Sequence, residues 1–325
     1  MQSYWARITG GKIAVELREI PRPEPGPGQL LVRVRAAGLN RGEFIIGHSL
    51  QTEGSAKPAG MEAAGEVVAC SAGVQGWAPG QRVMGRCGGA FAEYVLMDQR
   101  EALPVPVRLS WEQAAGVPLT SLVVHDMLVL QGRLQPGQWL LIPGVSSGVG
   151  VTALTMAKAL GAKVIGTSGS QAKLDRLQTL GLDLGLCTRQ PDFQAAVMQA
   201  TGGQGVNLVV NTVGGSVFAE CVRCLAFEGR LATVGYVDGV LHADIDLDAL
   251  HAKRLTLFGV SNKLRSAAQK AEFVPEFRAQ ILPLLEQGRI TPVVDRVLPF
   301  EQLAEAKAAM EAGVHMGKIV LAGLP

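Results

Sequence analysis

The sequence predicts an α/β fold built on a doubly wound parallel sheet of six strands, and three observations support this prediction. First, short strand-like runs recur every 21 to 26 residues, beginning near Trp139, Lys163, Leu184, Val206, Gly229 and Leu255. Second, helix-like segments lie between most of them, at 150–160, 171–180, 193–201 and 216–225. Third, the runs are apolar, as strands buried on both faces of a parallel sheet are.

The first 110 residues indicate strands and turns instead. Strand-like runs cover 4–9, 13–18, 30–36, 65–69, 82–84 and 92–97. Between the second and third of these runs lie four prolines, Pro21, Pro23, Pro25 and Pro27. Because proline cannot donate a backbone hydrogen bond, this stretch is neither helix nor central strand, and we expect an extended surface loop.

Helical signals begin at Ser110. Ser110 and Gln113 have the spacing of a capping box, which predicts a helix through Gly116, and a second helix is predicted at about 120–131. After Phe258 the alternation ends, with helices predicted at 276–287 and 300–311 and strands at 293–298 and 318–321. These final segments do not extend the parallel sheet and are suited to completing the first, β-rich domain.

Composition narrows the class of protein. Among 325 residues, Lys and Arg number 30 and Asp and Glu 28, a balance that disfavours a nucleic-acid or membrane-surface partner. An odd count of five scattered cysteines favours a reducing compartment, and Cys221 and Cys224, one helical turn apart, are expected to be buried thiols. No apolar run approaches the ~20 residues of a membrane span. We therefore expect a cytoplasmic protein of about two domains.

The strongest motif is the small-residue turn after the first of the six strands, in residues 140–150, LLIPGVSSGVG. Small residues let backbone N–H groups approach a pyrophosphate, and the N-terminus of the following helix adds partial positive charge. The three glycine positions of G-x-G-x-x-G hold Val145, Ser147 and Gly150, so the motif alone also fits an ordinary tight turn. The strand periodicity that follows favours dinucleotide binding.

The end of the second strand predicts which dinucleotide binds. NAD-binding proteins carry an acidic residue there, which holds the ribose 2′-hydroxyl. Here Ser168, Gly169 and Ser170 end the strand, Lys173 follows, and the next carboxylate is Asp175. Hydroxyls, backbone N–H groups and an ammonium suit a 2′-phosphate, so we expect NADPH. Alternatively the serines only cap the next helix and Lys173 is solvated; both interpretations can hold at once.

Seven short motifs occur in an order and spacing that together resemble a known family. They lie at 38–43, 60–65, 79–83, 89–94, 146–150, 211–215 and 317–320. The chain resembles the medium-chain dehydrogenase/reductases over nearly its whole length and, within them, the zinc-free quinone oxidoreductases. The resemblance implies a GroES-like catalytic domain made of residues 1–118 and 262–325, with a Rossmann dinucleotide-binding domain, residues 119–261, inserted between them.

The resemblance also bears on zinc. Zinc-dependent alcohol dehydrogenases of this family have Cys and His where this chain has Asn40 and Met61, and neither is a suitable zinc ligand in such a site. Glu62 remains, but one carboxylate does not hold a catalytic zinc. A structural zinc would need four clustered cysteines, and only Cys87 lies in the corresponding stretch. We therefore expect no metal.

The resemblance places Asn40 beside the nicotinamide and the acceptor, where its amide could donate to the substrate oxygen. The family commonly carries a tyrosine about eight residues later, and this chain has His48 there. A histidine titrates near neutral pH, so His48 is a candidate proton donor, with a solvated loop histidine as the alternative. Residues 51–57 depart from the family's pattern, so the sequence does not identify the substrate.

The resemblance implies further cofactor contacts at the carboxyl ends of the strands. The expected cofactor-binding residues are Asn40, Ser146, Ser147, Gly148, Val149, Ser168, Gly169, Ser170, Lys173, Arg189, Asn211, Val213, Gly235, Tyr236, Phe258, Val260 and Lys318. Of these, Arg189 is expected to stack on adenine and Lys318 to reach the phosphates, while Tyr236 contacts the cofactor or lies at the rim. Residues 255–260 are expected to pair across a homodimer.

These expectations describe a zinc-independent NADPH-dependent oxidoreductase that transfers hydride to quinones or α,β-unsaturated carbonyl compounds. Two alternatives stay open. One is an NADPH-binding protein with little turnover; its binding of RNA is disfavoured by the balanced charge. The other is a zinc alcohol dehydrogenase, which Asn40 and Met61 disfavour.

Overall fold

The N-terminal segment consists of short strands joined by turns. The structure, a computed structural model, describes residues 1–46 and 52–323. The strands of this segment are β1 Gln2–Thr9, β2 Lys12–Glu19, β3 Gln29–Gly38, β4 Ala56–Pro58, β5 Glu62–Cys70, β6 Arg82–Arg86, β7 Tyr94–Asp98 and β8 Ala102–Pro104. Two helices follow, α1 Trp111–Ala115 and α2 Pro118–His125, and α2 continues as a π-helical turn over Asp126–Leu130. The predicted capping box is confirmed, since Ser110 caps α1 and Gln113 reaches back to it.

The central segment alternates strands and helices. In order they are β9 Trp139–Pro143, α3 Gly148–Ala159, β10 Lys163–Ser168, α4 Gln171–Gln178, β11 Leu184–Cys187, α5 Gln194–Ala200, β12 Val206–Asn211, α6 Phe218–Arg223, β13 Leu225–Thr233, α7 Leu247–Ala252 and β14 Thr256–Gly259. The six strands are parallel and lie in the order β11-β10-β9-β12-β13-β14. The predicted doubly wound sheet is confirmed.

The two central strands of this sheet are buried on both faces. Consecutive residues Leu140 and Leu141 of β9 are fully buried, as are Val209 and Val210 of β12. Successive side chains of a strand point to opposite faces, so both faces must be covered. This explains why the strands read as continuous apolar runs in the sequence. The strand order reverses between β9 and β12, the switch point at which ligands bind in such sheets.

The C-terminal segment adds to the N-terminal strands. Its elements are α8 Ala267–Ala271, α9 Val274–Gln280, α10 Leu282–Glu286, β15 Val294–Pro299, α11 Leu303–Glu311 and β16 Lys318–Ala322. β16 pairs antiparallel with β3, which gives a seven-stranded sheet with the path β15-β16-β3-β5-β6-β8 and with β7 paired to β3. The single helix predicted at 276–287 is wrong: α9 and α10 meet at Ile281, and Pro283 cannot donate into a continuous helix.

Two units result. One comprises Met1–Leu122 and the segment that begins at Arg265, and the other comprises Val123–Leu264. The first also contains a three-stranded sheet in the order β2-β1-β4, and its core includes Phe91 and Phe300. The core of the second includes Phe193 and Leu231. Across the residues that the structure describes, no helix combines the length and the apolar character needed to cross a bilayer.

Candidate active site

The turn after β9 permits close approach to the backbone. Ser147 is the N-cap of α3, and its hydroxyl accepts from the Gly150 N–H at 3.1 Å. A Cβ atom at Gly150 would lie 2.6 Å from the carbonyl oxygen of Val145, so only glycine allows the helix to start this close to the turn. The first N–H groups of a helix, here those of Gly148 and Val149, have no intrahelical acceptor and therefore suit an anion.

Hydroxyl groups join this turn to the end of β10. The Ser146 Oγ lies 3.3 Å from the Ser168 Oγ. Ser170 caps α4 and accepts from the Lys173 N–H at 3.4 Å, so the predicted capping role is confirmed. Capping does not exclude a second role for these groups, because a helix N-terminus favours an anion whether or not a serine caps it.

Arg189 lies next to the end of β10. A Cβ atom added at Gly169 would collide with the aliphatic part and Nε of the Arg189 side chain, which therefore covers this glycine. Arg189 is exposed, so its guanidinium is available to an anion from solvent. Stacking of Arg189 on adenine stays a prediction. The structure puts this cation beside Gly169, where a 2′-phosphate is expected.

The loop after β12 is held by a buried amide. Asn211 is fully buried; its Nδ2 donates to the Gly214 carbonyl at 2.9 Å, and its Oδ1 accepts from the N–H groups of Val213 and Gly214, both at 3.0 Å. These bonds occupy the side chain, and a contact between Asn211 and the cofactor stays a prediction. Asn211 shapes the loop that carries Val213.

The remaining expected contacts of this unit follow the ends of the next two strands. Gly235 and Tyr236 follow β13, and Tyr236 is 45% exposed. Phe258 lies in β14. Val260 is the first residue after this strand and is buried. Since the strands are parallel, their carboxyl ends share one edge, and the structure therefore brings the expected residues of this unit to that edge.

The first unit contains a buried charged cluster around Lys318, which we call the Lys318 cluster: Asn40, Glu43, Glu62 and Lys318. The Lys318 Nζ lies 2.6 Å from Glu62 Oε1, 2.7 Å from Asn40 Oδ1 and 3.0 Å from the Leu39 carbonyl oxygen. Glu62 is 0% exposed and Lys318 is 5% exposed. The Thr120 Oγ1 lies 3.4 Å from the same Nζ, so acceptors of the first unit engage all three protons of the ammonium. In this arrangement the ammonium bonds groups of its own unit, and a contact between Lys318 and the cofactor phosphates stays a prediction.

The same cluster determines the orientation of the Asn40 amide. Because Oδ1 faces the Lys318 ammonium, Nδ2 must face the carboxyls, and it donates to Glu62 Oε1 at 2.9 Å and Glu43 Oε1 at 3.1 Å. An amide has two N–H bonds, and both are engaged. In this arrangement Asn40 connects two carboxyl groups and an ammonium, and its donation to the substrate oxygen stays a prediction.

Glu43 was missed by sequence reasoning. It lies in a 3₁₀ turn, Arg41–Phe44, and its Oε1 also accepts from the Asn40 backbone N–H at 3.0 Å. Burial raises the pKa of Glu43 to about 8; hydrogen bonds from Asn40 oppose this rise and the charge of Glu62 adds to it. The signal was present as the spacing of Asn40 and Glu43, which is that of a capping box.

The remaining candidates of the sequence analysis are His48, a metal site and two cysteines. His48 lies outside the described residues. Within the described residues, no three His, Cys, Asp or Glu side chains are grouped as metal ligands. Cys221 and Cys224 are free and buried, as expected, and burial raises the pKa of the Cys224 thiol to about 12.

Comparison with known families gives two matches. Residues 26–107 match the family described as alcohol dehydrogenase GroES-like domain, and residues 148–274 match the family described as zinc-binding dehydrogenase.

Solved structures match over 99% of the chain. An NAD-dependent alcohol dehydrogenase is 30% identical with a TM-score of 0.86, and the alignment covers 100% of it. Mycobacterial Rv1454c, complexed with NADPH, is 26% identical with a TM-score of 0.88 and is also covered completely. A mycobacterial quinone oxidoreductase is 25% identical with a TM-score of 0.84, again with complete coverage.

The curated relatives are much longer proteins. A phenolphthiocerol/phthiocerol polyketide synthase of Mycobacterium tuberculosis is 32% identical over 310 residues, which are 95% of this chain and 14% of the synthase. The chain thus spans about one seventh of the length of that relative.

Proposed function

Because the chain belongs to the medium-chain dehydrogenase/reductase superfamily, we propose that it uses NADPH to reduce quinones or α,β-unsaturated carbonyl compounds. The observation that carries the proposal is the end of β10. Ser168, Ser170, Lys173 and the adjacent Arg189 offer hydroxyls, N–H groups and cations where an NAD site would need a carboxylate. Mycobacterial Rv1454c, of the same fold, binds NADPH in its solved structure.

The cofactor is proposed to lie along the carboxyl edge of the parallel sheet. The amides at the start of α3, in residues 146–149, would hold the pyrophosphate. The loop with Val213, the segment with Gly235 and Tyr236, and the segment with Phe258 and Val260 would hold the ribose and nicotinamide. When bound, NADPH supplies hydride; the protein's own residues bind it, orient the acceptor and deliver the proton.

We infer that the reaction needs no zinc. Asn40 and Met61 occupy the positions at which zinc-dependent relatives have ligands, and in the Lys318 cluster the Lys318 ammonium bonds both Asn40 and Glu62. A cation bound there would meet an ammonium at short range and only one carboxylate, a poor donor set for Zn²⁺. These residues do not fit the metal that the name of one matching family implies.

The class of acceptor follows from chemistry that works without a metal. Quinones and conjugated carbonyls accept hydride at an activated ring or β-carbon, and hydrogen bonding is enough to stabilise the developing charge. The mycobacterial quinone oxidoreductase favours the quinone class. The polyketide synthase relative favours an unsaturated acyl chain, so enones belong in the same assay.

Assembly and location are part of the proposal. β14 is an edge strand of the six-stranded sheet, so residues 255–260 offer a strand edge to a second copy of the chain. The described structure has free thiols at all five cysteines, as a reducing compartment such as the cytoplasm allows.

Fluorescence titration with NADPH and NADH, followed by turnover with 1,4-benzoquinone and an enone, tests the function. We expect tighter binding of NADPH and its oxidation by at least one acceptor. Tight NADPH binding without turnover across a broad panel of acceptors would favour a cofactor-binding protein. Preference for NADH would overturn the interpretation of Ser168, Ser170, Lys173 and Arg189.

A further inference from the structure

Two loops meet at the carboxyl edge of the six-stranded sheet, and the side chain of Asp238 joins them. The first, which we call the β12 loop, is residues 212–216; the second, the β13 loop, is residues 234–240, and the strands that they follow are neighbours in the sheet. The Asp238 Oδ2 accepts from the Ser216 N–H and its Oδ1 accepts from the Val240 N–H, both at 2.9 Å. One carboxylate therefore binds backbone groups of both loops.

Backbone hydrogen bonds run beside this carboxylate. The Asp238 N–H donates to the Val213 carbonyl and the Gly215 N–H donates to the Val240 carbonyl, both at 3.0 Å. Two further N–H groups of the β12 loop donate to the buried Asn211 side chain. From Val213 onward, the N–H groups of the β12 loop thus all donate within the second unit. The loop therefore offers a ligand a surface of fixed shape rather than N–H donors.

The fit between Asp238 and the β12 loop requires glycine at position 214. Gly214 is buried and has φ +132°, a backbone conformation that other residues rarely adopt. A Cβ atom added there would collide with the Asp238 carboxylate, which fills the space of the missing side chain. Desolvation raises the pKa of Asp238, but hydrogen bonds from Ser216 and Val240 lower it by more, so its pKa lies below the usual value and the group is charged at neutral pH.

The start of the β12 loop is anchored without Asp238. The Thr212 hydroxyl donates to the Pro143 carbonyl at 2.8 Å, so it binds the end of β9 directly. A Cβ atom added at Gly144 would lie 2.6 Å from the Thr212 Oγ1 and 3.3 Å from the Val213 Cγ2, which shows how closely this part of the loop packs on the turn after β9. Loss of the Asp238 carboxylate should therefore loosen the far part of the loop and leave that turn in place.

We propose that Asp238 is a positioning residue for the nicotinamide half of the cofactor. This proposal rests on the proposed function, under which the β12 loop and the β13 loop hold the ribose and nicotinamide. Asp238 acts through these loops: it holds them in one arrangement before the cofactor binds, so that binding does not have to order them. A hydrogen bond to a charged acceptor changes an equilibrium constant about tenfold or more. Without the carboxylate, fewer molecules have both loops in place, and the apparent Kd rises in inverse proportion.

The test compares Asp238→Ala with the wild type and with Asp244→Ala, a matched change of an exposed aspartate six residues further along the chain. Titrations with NADPH, NADH and adenosine 2′,5′-bisphosphate give three Kd values; the bisphosphate has the adenosine half of NADPH but no nicotinamide. For Asp238→Ala we expect the Kd for NADPH and for NADH to rise about tenfold each and the Kd for the bisphosphate to stay unchanged. Asp244→Ala should bind all three ligands as the wild type does.

A second readout needs no cofactor. The amides of Ser216 and Val240 should exchange hydrogen faster in Asp238→Ala than in the wild type and Asp244→Ala. Asp238→Asn, which preserves the side-chain volume and keeps one acceptor oxygen, carries the same comparisons if Asp238→Ala does not fold, with a smaller rise in the two Kd values.

The outcomes separate the positioning role from a merely structural one. A lower thermal unfolding midpoint with unchanged Kd values in Asp238→Ala would overturn the proposal, as would an equal loss of affinity for NADPH and for the bisphosphate, or unchanged exchange of the two amides. A wild type that binds none of the three ligands would overturn the proposed function and the positioning role with it. A wild type that binds NADPH as tightly as Asp238→Ala does would overturn the positioning role alone.

Discussion

Lys318 bonds polar side chains that are far from it in the sequence and so determines how they are oriented. Its ammonium bonds Asn40 and Glu62, which are 278 and 256 residues away along the chain, and thereby turns the Asn40 amide toward two carboxyls. Glu62 also accepts from the Leu119 N–H at 2.7 Å. The pair therefore connects β5, β16 and the start of α2 through buried, charge-assisted hydrogen bonds.

Replacement of Lys318 by Met should destabilise the protein strongly. Removing one partner of a buried pair leaves an uncompensated charge, which costs about 3–5 kcal/mol. Urea unfolding at neutral pH measures the loss. The double variant Lys318→Met with Glu62→Gln should recover part of it, because Gln is neutral and its oxygen still accepts from the Leu119 N–H. A single variant as stable as wild type would show that the pair contributes nothing.

Glu43 makes a second prediction at the same scale, concerning stability against pH. Its pKa is about 8 in the folded chain against an ordinary value of 4.5, so between these values the folded state binds a proton that the unfolded state does not. The stability that this group contributes is therefore fully present below about pH 4.5 and is lost as pH rises toward 8, by up to ~1.4 kcal/mol per pH unit.

Urea unfolding between pH 5 and 8 measures this dependence. Since other groups titrate too, the useful quantity is the difference in unfolding free energy between wild type and Glu43→Gln. The unfolding free energy of the wild type should fall relative to that of the variant as pH rises. Parallel curves for the two proteins would contradict the raised pKa.

At the scale of elements, the ends of β9, β10 and β11 lie at the edge of the sheet that is proposed to bind the cofactor. The turn residues are local and were predicted in sequence order, since strand, small turn and helix cap are neighbours in the chain. The approach of Arg189 to Gly169 was not predicted. It depends on β10 and β11 pairing in register, with Ser168 opposite Cys187, and no local pattern encodes that register.

Arg189→Ala should therefore weaken the binding of NADPH but not that of NADH. Loss of a charge-assisted hydrogen bond to a 2′-phosphate costs about 1.5–3 kcal/mol, which corresponds to a more than tenfold rise in the Kd for NADPH. The Kd for NADH, which lacks this phosphate, should change little. Fluorescence titration checks both values. Arg176→Ala, which removes an exposed arginine from the last turn of α4, serves as the control, and equal losses for NADPH and NADH in Arg189→Ala would refute the assignment.

At the scale of the whole molecule, the chain makes one unit from its central residues and another from both of its ends. In the unit made from both ends of the chain, β16 pairs with β3, and Lys318 therefore lies next to Asn40. A cation is thereby present in the Lys318 cluster as part of the polypeptide, and this leads to a prediction about metal removal.

Prolonged dialysis against a chelator should leave both the thermal unfolding midpoint and the NADPH-dependent turnover unchanged. An ammonium, unlike a bound metal ion, cannot be extracted. Elemental analysis of the purified protein checks the premise, and stoichiometric zinc whose removal lowers activity would contradict it.

The periodic apolar runs, the prolines, the Ser110 capping box and the small-residue turn sufficed to predict the doubly wound sheet and its helices, and they are the basis of the proposed cofactor edge. Each of these signals is local, because secondary structure and βα turns depend on residues within about one element of each other. The contacts of Lys318, Asn40, Glu43 and Arg189 were decided by tertiary structure alone. They depend on strand pairing across long stretches of chain and on burial, which sets which donor meets which acceptor and which carboxyl keeps its proton.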